Sequence, residues 1–261
     1  MKIRFQKYLK RLLLFLLALA FIFTVNGTIE RQYVKREIRD FVSRAEYIAP
    51  GVLFDYDDTK ERFYFVRKKY DYEDVNYNTY DYINEYIGST GDIIVTNRNP
   101  LSEIKILDSL IVHFWIGHAG LVLTDDGSQT LEIVGNDTLE SNEVLELDNT
   151  FNINLRGEEV VGLRIKGITS ENKERIQVIK DKYLGKKYNY LFIINLANRF
   201  YCIDLITRVL EDVGIRINYD FWVSTGNDMI TSKNTYLFYY SYVDKKGIIH
   251  RYFLVDQEFS I

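Results

Sequence analysis

The chain has a single cysteine, Cys202, among its 261 residues. No internal disulfide is available, so that thiol is either a small buried hydrophobe or a working nucleophile. Histidine is nearly as scarce, and any imidazole chemistry falls on His113, His118 or His250. Two prolines and fifteen glycines against twenty-one tyrosines exclude a disordered or low-complexity chain. No internal repeat occurs, which excludes a solenoid or propeller. The net charge of −4 comes from acids and bases mixed along the whole chain, so no basic face is offered to a polyanion and nucleic acid is not expected as a partner. No Cys/His cluster has metal-ligand spacing and no glycine-rich phosphate loop is present, so neither a metal nor a nucleotide cofactor is called for.

What the chain does have begins at its N-terminus. Lys2, Arg4, Lys7, Lys10 and Arg11 precede an unbroken apolar run from Leu12 to Val25. As a helix this run is about 21 Å long, short of the ~30 Å hydrocarbon core. That suits a signal peptide over 1–27, with Val25-Asn26-Gly27 as the cleavage region, or an uncleaved membrane anchor accommodated by tilt or thinning. In either case the basic end stays inside and the body is extracytoplasmic, membrane-anchored or secreted. From Thr28 to Tyr47, apolar residues Ile29, Tyr33, Ile38, Phe41, Val42 and Ala45 recur near helical spacing and predict an amphipathic helix ending before Ala49-Pro50-Gly51. The tyrosine-rich stretch from Arg62 to Tyr86 reads as a short strand and then a helix up to Gly88, its aromatic rings half-buried at a domain edge or lining a glycan-binding surface. Residues 28–87 are thus expected as a helical linker and N-terminal extension, ahead of a domain over 88–261.

Beyond Gly88 the pattern turns to strands. Gly91 to Thr96 predicts a turn and a buried strand, Ala119–Thr124 and Thr130–Val134 a hairpin, and Glu143–Leu147 and Glu159–Lys166 two more strands. Helical periodicity returns from Ser170, a candidate N-cap, to Leu184, with Gly185 as the stop. A second helix runs from about Cys202 to Asp212, with Leu205, Ile206, Val209 and Leu210 on one face and an end near Gly214. Late strands over Tyr236–Val243 and Ile248–Val255 flank the turn Asp244-Lys245-Lys246-Gly247. The expected fold class is α+β with a largely antiparallel sheet.

A thiol attacks a carbonyl only as thiolate, which a helix N-terminus and a nearby imidazole favour. Cys202 opens the predicted helix, so the unpaired N–H groups of the first turn face the sulfur and its own N–H is a natural oxyanion donor. Its spacing to Leu205 and Ile206 equally allows a place on the apolar stripe. Among the histidines, His250 sits in a late strand as a half-exposed structural residue and His113 lies in the apolar run Leu110 to Trp115. His118 differs: it follows Gly117 and opens the strand Ala119-Gly120-Leu121-Val122, with small neighbours that leave room for a substrate. A third polar group is needed to orient the imidazole, and Glu132 interrupts the apolar run Leu131 to Val134. A three-residue loop Asp125-Asp126-Gly127 pairs 120 with 132 and 118 with 134, which puts Glu132 on the face of His118; a longer loop turns it away.

Taken in order, Gly91-Asp92-Ile93-Ile94, Gly117-His118-Ala119-Gly120-Leu121-Val122, Gly185-Lys186-Lys187-Tyr188-Asn189-Tyr190, Tyr201-Cys202-Ile203-Asp204-Leu205 and Asn227-Asp228-Met229-Ile230 resemble the permuted papain-like hydrolases of the YiiX type, related to the NlpC/P60 peptidases. In that group the histidine strand precedes the cysteine helix. The resemblance spans roughly residues 88 to 235. It implies a half-barrel sheet packed on the cysteine helix, hydrolysis of an amide or ester through a thioester, an acid such as Glu132 orienting the histidine, and Tyr188 as a substrate-binding residue. Two departures stand out: Ile203 follows the cysteine where serine is common, and Asn189 stands where aspartate is frequent. The function expected is that of an exported cysteine hydrolase acting on peptides of cell-wall type. The alternatives are a lipid acyl hydrolase or acyltransferase of the same fold, held to the membrane by the N-terminal helix, and a non-catalytic envelope scaffold.

Overall fold

The computed structural model describes residues 2–97, 115, 117–133, 142–152, 159–190, 196, 198–218 and 224–256. Helix α1 (Lys2–Ser43) runs without interruption through Asn26 and Gly27. Thr28 Oγ1 bonds the Thr24 carbonyl, Asn26 bonds Glu30, and Gly27 is buried, so the expected boundary at residue 27 lies inside one helix. Its second half packs on the domain, with Val34 and Phe41 each 1% exposed. In its first half Leu9, Leu12, Leu13, Leu14, Phe15 and Leu17 are all more than half exposed. Among the described residues no helix is long and apolar enough to cross a membrane.

The helix expected to run to Tyr47 stops at Ser43 because the next residues find a strand partner. β1 (Ala45–Ile48) pairs antiparallel with β2 (Glu61–Arg67), Tyr47 opposite Tyr64. No helix follows β2 as far as Gly88. Side-chain carboxylates capture the backbone there instead: Glu73 accepts from the N–H of Lys69 and Tyr70, Asp74 from that of Asn76, and Asp81 from those of Ile83 and Asn84. Such local acceptors compete with the helical ladder and favour turns. Only the short pair β3 (Tyr80–Asp81) and β4 (Tyr86–Ile87) forms in this stretch. Residues 44–87 are therefore strand and turn, not a helical linker.

The remaining strands are β5 (Ile93–Thr96), β6 (Ala119–Val122), β7 (Gln129–Ile133), β8 (Val144–Asp148), β9 (Val160–Ile165), the short parallel pair β10 (Lys187–Tyr188) and β11 (Arg199–Phe200), β12 (Thr235–Val243) and β13 (Ile249–Val255). The described residues build one nine-stranded sheet in the order β1-β2-β13-β12-β9-β5-β6-β7-β8. Every neighbouring pair is antiparallel except β2 with β13. β1 and β2 thus extend the sheet on the far side of β13. Inside the core Arg164 forks onto Asp92, at 2.6 and 2.9 Å, and its remaining donors bond the Asp74 and Asn78 carbonyls, tying the turn-rich segment to β9.

Three further helices lie among the described residues of this α+β fold. α2 (Ser170–Ile179) is capped by Thr169 rather than Ser170, because Thr169 and Asn172 form a reciprocal capping box. It tightens into a single 3₁₀ turn over Lys180–Lys182 instead of running to Leu184. α3 (Cys202–Val213) ends at Gly214 in the left-handed conformation. Leu205, Ile206, Val209 and Leu210 are fully buried where α3 packs on β6, β7 and α2. α4 is the short helix Gly226–Ile230.

Candidate active site

The hairpin of β6 and β7 decides the site. Leu121 pairs with Leu131 and Val122 with Thr130, and Gly127 closes the turn at φ +80°, donating to the Thr124 carbonyl. This is the register of the three-residue loop. A side chain at 127 would adopt the left-handed region and bring its Cβ within 2.6 Å of the Gly88 carbonyl oxygen. Glu132 consequently stands beside Gly120, where a Cβ would meet the Glu132 Cγ at 3.2 Å and the Phe151 ring at 2.8 Å. The missing side chain at 120 is the space that the Glu132 carboxylate uses.

His118 sits at the start of β6. Its backbone is held on both sides by Thr96: His118 N–H donates to Thr96 Oγ1 at 2.9 Å, and Thr96 N–H donates to the His118 carbonyl at 2.8 Å. The His118 Nε2 bonds Glu132 Oε2. The other carboxylate oxygen accepts from Thr130 Oγ1, two residues earlier on the same face of β7. Phe151 stacks flat on the imidazole at 5.4 Å between centroids and 5° between planes. The ring is fixed by one polar and one apolar partner, while 29% of its side-chain surface stays open.

Cys202 begins α3, where Tyr201 supplies no side-chain cap to the helix N-terminus. The thiol is 7% exposed and donates to the Gly117 carbonyl at 3.7 Å. The His118 ring lies within electrostatic reach of the sulfur, with Nδ1 the nitrogen left once Glu132 has Nε2. Burial works to lower the His118 pKa, but the hydrogen bonds to Cys202 and Glu132 and the charges of both outweigh it and push it up to about 10. Tyr188, in β10, is within electrostatic reach of the thiol. Burial first, and then the Cys202 and Tyr190 charges, raise its phenol above the ordinary value. Cys202, His118 and Glu132 are therefore brought together from α3, β6 and β7, and Tyr188 of β10 is tied to them by charge alone.

His250 stands apart. His250 is buried rather than half-exposed, because it stacks on Tyr242 at 4.8 Å and its two nitrogens face Tyr64 Oη and Asp244. His113 lies outside the described residues. Among the described residues no three His, Cys, Asp or Glu side chains converge as a metal site. Three contributors escaped the sequence reading. Thr130 carried a findable signal, an alternate position next to Glu132 in one strand. Thr96 and Phe151 carried none, since only tertiary pairing brings them to His118.

A thiol at the head of a buried helix, beside an imidazole that a carboxylate orients, is the arrangement of papain-like cysteine hydrolases. Residues 87–233 match the family described as permuted papain-like amidase enzyme, YaeF/YiiX, C92, and the chain belongs to that family. It is accordingly a hydrolase of the cysteine amidase and peptidase type. The crystal structure of the metalloprotein yiiX from Escherichia coli O157:H7 aligns with 57% of this chain and 96% of that one, at 17% identity and a TM-score of 0.42. No curated protein sequence matches the chain.

Proposed function

We propose that the protein is an exported hydrolase that cleaves an amide bond through a thioester on Cys202, with peptides of cell-wall type as substrates. The observation that carries the reading is the Cys202 thiol at the N-terminus of α3, on the carbonyl of Gly117 next to His118, whose ring is hydrogen-bonded to Glu132 and that carboxylate in turn to Thr130. His118 takes the thiol proton, and Glu132 stabilises the resulting imidazolium and holds its tautomer. The sulfur attacks the substrate carbonyl, and the oxyanion that forms accepts from the Cys202 N–H in the open first turn of the helix. Collapse of that adduct releases the amine, which takes the proton from His118 and leaves the acyl group on sulfur. Water, deprotonated by His118, then hydrolyses the thioester and restores the thiol. Tyr188, within electrostatic reach of the sulfur, is assigned to substrate contact.

Cys202→Ala is expected to abolish cleavage of stem peptides, and a variant that cleaved as fast as the parent would refute the assignment. Export and membrane attachment are part of the proposal, supported by the basic residues Lys7, Lys10 and Arg11 ahead of the exposed apolar half of α1. The same exposed surface favours one second reading, an acyl hydrolase or acyltransferase working on lipid with the same thioester chemistry. Product analysis with peptide amides and with phospholipid vesicles separates the two.

A further inference from the structure

Gly117 and His118 supply the two neighbours of the Cys202 thiol, a carbonyl in hydrogen bond and a ring within electrostatic reach, and Trp115 stands two residues ahead of Gly117. Thr96 holds His118, and α4 holds Trp115. Gly226 N–H donates to the Trp115 carbonyl at 2.8 Å, and the Trp115 N–H donates to Asn227 Oδ1 at 3.2 Å. Contact is so close that a Cβ on Gly226 would lie 2.2 Å from the Trp115 oxygen. Asn227 is 0% exposed. A carboxamide in such a place can present either its oxygen or its nitrogen, and only the oxygen serves an N–H. The choice is made from α1. Asn227 Nδ2 donates to Glu30 Oε2 at 3.4 Å, and the other Glu30 oxygen is taken by Asn26. A carboxylate only accepts, so Glu30 turns the amide nitrogen toward itself and leaves Oδ1 facing Trp115.

We propose that Asn227 is a positioning residue for the Cys202–His118 pair, oriented by Glu30, so that α1, outside the family match at 87–233, takes part in setting the active site. This rests on the function proposed for that pair. Asn227 touches no reacting atom; it acts through the backbone of Trp115.

The test is the pH profile of Cys202 alkylation by iodoacetamide, with kcat and KM for peptide amide cleavage, in the parent, Asn227→Asp, Glu30→Gln/Asn227→Asp and His118→Ala. Asn227→Asp keeps the acceptor for Trp115 but sets a carboxylate against Glu30. Alkylation at neutral pH and kcat are expected to fall tenfold or more, within the roughly 10²-fold that small misplacements cost, with KM little changed. In the double variant the carboxamide now at position 30 donates to the carboxylate now at position 227, and most of both rates returns. A purely structural role would move the melting temperature and its rescue while leaving the alkylation profile of folded protein as in the parent, and that result would overturn the inference. If the parent and His118→Ala alkylate alike, the pair itself is not working and both readings fall together. Should Asn227→Asp not fold, Glu30→Ala, which adds no buried charge, is expected to slow alkylation several-fold, and a parental rate there overturns the inference equally.

Discussion

The imidazole of His118 gives Nε2 to the Glu132 carboxylate and leaves its other nitrogen for the Cys202 thiol, whose charge acts on the ring. A pKa raised from 6.5 to about 10 means that the folded protein binds this proton more tightly than the unfolded chain does. The stabilisation is fully present below pH 6.5 and is lost as pH rises through about 10. The gap in melting temperature between the parent and His118→Ala is therefore predicted to be widest near pH 6.5 and to narrow steadily toward pH 10; a gap constant over that range would contradict the assignment. At this scale the sequence was informative where chemistry is rare. One cysteine and three histidines leave few pairings, and Gly117, Gly120 and the strand start single out His118. Asn227 was only one of the residues in a late motif; its contact with Trp115 requires the fold.

Elements were legible where their signal is local. α3 combines an apolar stripe with a left-handed glycine stop at Gly214, and both appear in a short window of sequence. The β6–β7 hairpin depends on Gly127, and its register follows from loop length alone. Gly127→Ala is predicted to lower stability by about 1–2 kcal/mol or more through left-handed strain, with the clash against the Gly88 carbonyl adding to it. Unchanged urea denaturation would show that the turn does not set the register. Elements whose partners lie far along the chain were not legible. β2 finds β13 as a parallel neighbour, Tyr64 opposite Tyr252, and no local pattern announces that pairing. The missing helix before Gly88 failed for a related reason: acidic side chains that read as surface charge cap turns instead.

Over the whole molecule, α1 joins an exposed apolar half to a packed half. Among the described side chains of α1 burial begins at Gly27, so removal of residues 2–25 is predicted to leave the melting temperature close to that of the parent and the protein active. Removal through residue 43 also takes away Val34 and Phe41, worth about 1.5–3 kcal/mol each, and the Glu30 contact to Asn227. That longer truncation is expected to be markedly less stable and slower to alkylate; equal behaviour of the two truncations would show that α1 is only a tether. The central claim, covalent catalysis by Cys202 with His118 as base, is tested most directly by acylation with p-nitrophenyl acetate followed by intact mass and peptide mapping. The account predicts one acetyl group on Cys202 in the parent, formed with a burst of nitrophenol and slowed by about 10²-fold or more in His118→Ala. Acetylation elsewhere than Cys202, or at the same rate in His118→Ala, would contradict it.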